Sequence, residues 1–390
     1  MYTEREIKNK FMKVLNIYPI ITLVGVRQAG KTTFLKEQMK SQKYSYVLFD
    51  DPDARELFEE DIKKFEKQYI EGYELTVLDE VQYCKDAGRK LKYLAEKKRR
   101  LWVTSSSETI LEKYILSYLV GRVSILRLYP FSLTEFLDSH NQKEQTLTIL
   151  KRNIWEHMTY GGYPKVVTTT DYETKKIILK DLYDTMILKD VAQTFSIDDI
   201  RTLDIFTRYL AINMGCLISY DTLSSEMSLS FQTVKKYLDA MEKSYIISRV
   251  TPFCTNKSKE ITKQPKLYFI DTGLRNIIAK DFQKEPSGNL FENYIFSELL
   301  KLGFSPKYWR TKTKAEVDFI IETDTEIIPI EVKVHRDAGK VDRGLRSFIE
   351  SYNPKRAYII TYKGKKGTMM VGSCKVTFTD TYKMKQLLSK

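Results

Sequence analysis

Cysteine, histidine and long apolar runs are all scarce in this chain of 390 residues. The cysteines, Cys84, Cys216, Cys254 and Cys374, are scattered and form no C-x-x-C pair. That argues against a zinc site or a disulfide framework and fits a reducing, intracellular compartment. With only 3 histidines, histidine metal centres and histidine-based triads are improbable chemistry. No apolar run approaches the ~20 residues that a membrane span needs. The segment Met1-Tyr2-Thr3-Glu4-Arg5-Glu6 lacks the basic-then-apolar pattern of a signal peptide. A cytoplasmic location with no membrane partner is therefore expected. Internal repeats and low-complexity tracts are also missing. Hydrophobic content of 42% is enough for folded cores throughout, and the length predicts two to four domains. The net charge of +13 is uneven: residues 251–390 hold 26 Lys+Arg and 16 Asp+Glu, or +10. A basic third of a chain suggests a polyanion partner, DNA first, although general solubility charge gives the same count.

Residues Gly25, Val26, Arg27, Gln28, Ala29, Gly30, Lys31 and Thr32 spell a complete G-x-x-x-x-G-K-[ST] loop. The run Ile20-Ile21-Thr22-Leu23-Val24 before it reads as a buried strand, and Thr33 to Met39 after it has helical character. Strand, glycine loop and helix N-terminus together present N–H groups and a positive dipole end to the phosphates of ATP. Lys31 is expected to reach the β- and γ-phosphates, and Thr32 to hold Mg²⁺. Leu75-Thr76-Val77-Leu78-Asp79-Glu80 is an apolar strand ending in two carboxylates. Asp79 is expected to hold Mg²⁺ and Glu80 to deprotonate the attacking water. A third strand, Leu101 to Thr104, ends in Ser105-Ser106-Ser107, where Ser106 or Ser107 has the chemistry to sense the γ-phosphate. A serine-rich loop with an N-cap accounts for the same residues.

With these motifs go Gly121-Arg122, Leu128-Tyr129-Pro130-Phe131-Ser132, Glu135-Phe136 and the later Pro265-Lys266-Leu267-Tyr268-Phe269-Ile270-Asp271-Thr272-Gly273-Leu274. Together they resemble the AAA-type P-loop ATPases that carry a C-terminal DUF4143 domain. The resemblance covers nearly the whole chain. One departure is Ser105, where that family usually has glycine. The resemblance implies nucleotide sites shared between subunits, hence a homo-oligomer or ring. It also makes Arg122 the candidate for an arginine supplied to a neighbouring subunit's nucleotide.

Residues 1–140 alternate strand and helix patterns, as an α/β nucleotide-binding sheet should. Residues 141–216 look mostly helical, interrupted at Gly161-Gly162-Tyr163-Pro164. Residues 217–265 order a helix, a turn at Leu229-Ser230, a second helix over 232–241 and a strand over 246–250. This order resembles a winged helix-turn-helix, with Lys235 and Lys236 on the exposed face of its second helix.

Residues 266–390 hold a second constellation. Ala315 to Ile321 and Ile327 to Val334 read as the two strands of a hairpin. Symmetry about Asp324-Thr325 puts Asp318 directly opposite Glu331, with Lys333 on the same face. Two opposed carboxylates and a lysine fit a Mg²⁺ site in which the lysine assists cleavage. This spacing resembles the PD-(D/E)xK nuclease fold, which usually adds a glutamate from the preceding helix; Glu292 stands at that place. The expected architecture is α/β: an AAA-type ATPase, a helical and winged-helix middle and a nuclease-like C-terminal domain. The expected activity is ATP hydrolysis acting on DNA, with metal-dependent cleavage open. A signalling, defence or protein-remodelling ATPase whose C-terminal domain only binds is the alternative.

Overall fold

A computed structural model describes residues 2–40, 43–106, 116–140, 146–256, 260 and 263–388. The chain divides into two units. The first comprises Met1–Phe131, Tyr163–Lys165 and Lys243–Tyr245, and the second comprises Ser132–Gly162, Val166–Glu242 and Ile246–Lys390. Strands, and α-helices of seven residues or more, are numbered in chain order.

The first unit is a five-stranded parallel sheet of β1 (Ile20–Val24), β2 (Tyr44–Leu48), β3 (Leu75–Asp79), β4 (Leu101–Ser105) and β5 (Val123–Arg127). Their spatial order is β2-β3-β4-β1-β5. β1, β3 and β4 are buried along their full lengths, which is why they read as continuous apolar runs. Helices α1 (Lys8–Val14), α2 (Lys31–Met39), α3 (Pro52–Glu60), α4 (Ile62–Tyr69) and α5 (Ala87–Glu96) accompany the sheet. Phe11 of α1 meets Phe34 of α2 and Trp102 of β4 edge-on, with ring centroids 5.1 and 4.9 Å apart. Such aromatic pairs each contribute about 0.5–1.5 kcal/mol beyond area burial. They fix α2, and hence the loop before it, against the sheet.

The second unit begins with helices α6 (Leu133–Ser139), α7 (Leu147–Tyr160), α8 (Tyr172–Leu182) and α9 (Ile200–Ile212). Then come α10 (Tyr220–Met227), α11 (Phe231–Lys243) and a two-stranded antiparallel pair, β6 (Ile247–Val250) with β7 (Lys266–Phe269). An isolated bridge joins Leu217 to Lys266. The sequence-based boundary between 265 and 266 therefore falls inside a hairpin: β7 hydrogen-bonds back to β6 across the long connection. Asp271 caps α12 (Thr272–Ala279), its carboxylate accepting from the Leu274 N–H at 2.9 Å and the Gly162 N–H at 2.8 Å.

After α13 (Gly288–Lys301) comes a six-stranded mixed sheet. It contains β8 (Lys307–Arg310), β9 (Glu316–Glu322), β10 (Ile327–His335), β11 (Arg356–Lys363), β12 (Gly367–Val371) and β13 (Cys374–Thr379), in the order β12-β13-β11-β10-β9-β8. β8, β9 and β10 are antiparallel neighbours, whereas β10–β11 and β11–β13 are parallel, with α14 (Arg343–Tyr352) crossing between β10 and β11. Val317, Ile320, Leu345, Phe348 and Ile359 share the core between α14 and the sheet. The β9–β10 register has the symmetry read from the turn: Glu322 pairs with Ile327, Ile321 with Ile328, Ile320 with Pro329 and Phe319 with Ile330.

Candidate functional site

The G-x-x-x-x-G-K-[ST] loop leaves the carboxyl end of β1, a strand flanked by β4 and β5. Gly25 has φ 143°, and a Cβ there would lie 2.1 Å from the Leu128 carbonyl oxygen, so no side chain fits. Gly30 has φ 94° and precedes α2 with no side-chain cap, leaving the first N–H groups of the helix without one. Arg5 braces the loop from outside, donating to the Ala29 carbonyl at 2.8 Å and the Tyr129 carbonyl at 2.6 Å.

Lys31 is only 5% exposed. Its Nζ donates to the carbonyls of Gly25 at 3.0 Å and Val26 at 3.2 Å. Burial pulls its pKa down, opposed by the carboxylates of Glu80 and Asp79. A buried ammonium resting on neutral carbonyls is stabilised by any anion that reaches it. Thr32 donates from Oγ1 to Asp79 Oδ2 at 2.8 Å. The hydroxyls of Tyr46 and Thr104 also donate to the Asp79 carboxylate, on Oδ2 and Oδ1 respectively. Burial, then the hydrogen bond to Asp79, keeps the Tyr46 phenol protonated far above its usual range.

Glu80, one residue past β3, has a left-handed backbone with φ 59°. Its N–H donates to Thr104 Oγ1 at 2.9 Å, and its Oε2 accepts from Ser106 Oγ at 3.1 Å and from the Gln82 amide. Gln82 Nε2 also reaches Ser106 Oγ at 3.0 Å. The loop, Lys31, Thr32, Asp79, Glu80 and Ser106 are thus one constellation. Thr33 follows Thr32 in the first turn of α2. Ser107 lies outside the described residues. Arg5, Tyr46, Gln82 and Thr104 complete the site but carry no motif. Thr104 alone had a signal, a hydroxyl at the end of an otherwise apolar strand.

Arg122 stands just before β5, whose first residue Val123 pairs with Ile20, whereas the loop follows Val24. A five-residue strand spans roughly 13 Å. Arg122 is therefore at the far end of the strands from its own unit's loop. Its guanidinium lies 3.5 Å from Glu96 Oε1 and donates to the Val120 carbonyl at 3.4 Å.

In the second unit Asp318 and Glu331 lie one step beyond the last paired residues of β9 and β10, Phe319 and Ile330, and Lys333 follows two residues along β10. Asp318 Oδ2 accepts from the Val332 N–H at 2.7 Å, and Lys333 Nζ lies 2.5 Å from Glu331 Oε1. Burial, then the charges of Glu331 and Glu292, push the Asp318 carboxyl well above the usual range. Glu331 is raised by burial, against the pull of Lys333. Glu292 of α13 is engaged differently from its expected role. Its Oε1 accepts from Lys266 Nζ at 3.0 Å and from the Tyr268 hydroxyl at 2.5 Å. Among the described residues, no three His, Cys, Asp or Glu side chains are grouped to hold a metal ion. One oxygen of each carboxylate is engaged within the protein, Glu292 by Lys266 and Tyr268, Glu331 by Lys333 and Asp318 by the Val332 amide, and Lys266 is a neighbour that the hairpin pattern did not include.

Three stretches of the chain match protein families. Residues 18–137 match an AAA domain, residues 287–377 a domain of unknown function (DUF4143), and residues 151–285 another domain of unknown function (DUF8612). The chain is 27% identical over 338 residues to an uncharacterized protein of Haemophilus influenzae, covering 80% of this chain and 82% of that one. It is 26% identical over 369 residues to an uncharacterized protein of Methanocaldococcus jannaschii, covering 88% and 82%. Among solved structures, the Walker-type ATPase of Pyrococcus abyssi superposes with a TM-score of 0.46 at 14% identity, covering 71% of this chain and 96% of that one. No helix among the described residues is long and apolar enough to cross a membrane.

Proposed function

We propose that this chain hydrolyses ATP and couples hydrolysis to DNA bound through its basic C-terminal region. The observation that carries the ATPase reading is the 2.8 Å contact of Thr32 with Asp79 beside the buried Lys31. A hydroxyl and a carboxylate are hard oxygen donors and suit Mg²⁺, for which they are the proposed ligands. Mg²⁺ bound there would neutralise charge on the phosphates. The chain's own residues do the rest. The Gly25–Thr32 backbone and the start of α2 donate N–H groups to the phosphates, and Lys31 supplies the buried positive charge. Glu80 takes the proton of the attacking water, its carboxylate oriented by Ser106 and Gln82. Arg122 is proposed to complete a neighbouring subunit's site in a homo-oligomer or ring, since it lies far from its own.

The DNA reading rests on charge and on fold pattern. Lys312, Lys314, Lys340, Arg343 and Arg346 are all exposed, in the β8–β9 and β10–α14 connections and the start of α14. Those elements pack together, since Val317 and Leu345 share one core. Helices α9, α10 and α11 with the β6–β7 pair follow the order of a winged helix. Lys235 is exposed there, while Lys236 donates to the Ser196 carbonyl at 2.7 Å. The engaged carboxylates favour binding over cutting, so metal-dependent cleavage is not carried into this proposal. The second reading is a signalling, defence or protein-remodelling ATPase whose C-terminal domain only binds nucleic acid or protein. Phosphate release by wild-type protein and by Lys31→Ala tests the ATPase. DNA affinity measured against salt tests the partner: phosphate contacts give a steep log–log slope, and a flat one rules out a DNA role.

A further inference from the structure

Lys266 is a charge buried at 4% exposure, on the short and fully buried strand β7. Its ammonium lies 3.0 Å from Glu292 Oε1 and 2.5 Å from Glu316 Oε1. Tyr268, two residues along the same strand, donates to the same oxygen of Glu292, and the Tyr308 ring lies 5.8 Å from the ammonium. An unpaired charge in such a place costs several kcal/mol, so a buried lysine persists only where carboxylates surround it. Burial alone would lower its pKa; Glu292 and Glu316, with a contribution from Asp318, reverse that and hold it charged.

We propose that Lys266 is the resident cation of this acidic cluster, taking Glu292 out of any divalent-ion site and leaving the C-terminal domain metal-free and non-cleaving. Lys333 does for Glu331 what Lys266 does for Glu292 and Glu316, and the Val332 amide occupies one oxygen of Asp318. One oxygen is left over. Glu331 Oε2 is buried with no hydrogen-bond partner among the described residues. Removing the ammonium of Lys266 would release Glu292 Oε1, a second oxygen that a divalent ion at Asp318 would gain. The two cations are not equivalent. Lys333 shares a strand with Glu331, whereas Lys266 comes from β7 and spans two elements, α13 and β9. The cluster therefore also pins α13 to the sheet.

The test is Mn²⁺ binding, without nucleotide or DNA, to the full chain, read from the paramagnetic signal of the free ion. Every protein is compared with its Asp318→Asn counterpart, so that binding near Asp79 cancels. Wild-type protein should show no Asp318-dependent Mn²⁺. Lys266→Ala and the gentler Lys266→Gln should each gain an Asp318-dependent site, about tenfold or more tighter than the weakest binding the assay detects, as a competing positive charge is removed. Lys266→Arg should behave as wild type. Asp318-dependent Mn²⁺ on the wild-type protein would overturn the proposal, and that arm needs no altered lysine to fold. So would folded Lys266→Ala and Lys266→Gln proteins that gain no site. ATP hydrolysis does not enter the readout, so failure here is distinguishable from failure of the ATPase reading.

Discussion

Thr104→Val separates the chemistry of the nucleotide site from its affinity. Thr104 is fully buried, and valine keeps its shape while removing the hydroxyl. That hydroxyl has two duties: it donates to Asp79 Oδ1 and accepts the Glu80 N–H at 2.9 Å. Losing a hydrogen bond to a charged group costs about 1.5–3 kcal/mol, and a buried N–H left without an acceptor costs about 1–3 kcal/mol. The two losses share one atom and are not additive, so about 2–4 kcal/mol of stability is expected to go. The functional consequence concerns Glu80. Its left-handed backbone costs on the order of 1–3 kcal/mol and persists because its surroundings enforce it. Without the Thr104 acceptor that enforcement weakens, and the carboxylate leaves its bonds to Ser106 and Gln82. Thr32, Lys31 and the loop are untouched, so nucleotide affinity should change little. If about 1.4–2.7 kcal/mol of orientation is lost at the transition state, kcat falls about 10- to 100-fold. Steady-state phosphate release and a fluorescent-nucleotide titration, with a urea melt as the folding control, measure the three quantities. Wild-type kcat in a folded Thr104→Val protein would refute the reasoning. So would loss of affinity at unchanged kcat.

The other expectations are sharper in kind than in magnitude. Lys31→Ala should abolish nucleotide binding, whereas Glu80→Gln should keep binding and lose about 10²- to 10⁴-fold in turnover, both read from the same two assays. Mixing Arg122→Ala with Lys31→Ala subunits should restore part of the activity, since each lacks a different half of a shared site; no recovery in oligomers shown to be mixed counts against Arg122. Asp271→Asn should cost about 1–3 kcal/mol in a urea melt, because the carboxylate accepts from both Gly162 and Leu274 and an amide leaves one of those N–H groups facing its own NH₂.

How much of this was legible in the sequence depended on the distance over which the information acts. The loop, β1 and α2 are contiguous, so spacing alone located them. The β9–β10 register was legible for the same reason: a short polar turn leaves little choice of pairing, and a slip of one residue would turn the apolar face to solvent. The environment of Asp79 was not. Tyr46, Thr32 and Thr104 come from β2, α2 and β4, and continuous apolar runs say nothing about the lateral order β2-β3-β4-β1-β5. The pairing of β6 with β7 across residues 251–265 was not legible either, because so long a connection does not specify which strands pair.

Lys266 carries that logic furthest. In sequence it is one lysine in a stretch that reads as an apolar strand, and the acidic hairpin by itself demands a cation without saying which. Like charges on one face of a sheet must be neutralised. A divalent ion and a protein ammonium meet that demand equally well on paper. What decides between them is the path of β7, which pairs with β6 and brings Lys266 onto Glu292 and Glu316. A motif that specifies carboxylates therefore specifies a need for positive charge, and the tertiary structure determines what meets it. In this chain Lys266 meets it at Glu292 and Glu316 and Lys333 at one oxygen of Glu331, while Asp318 is held by a backbone amide.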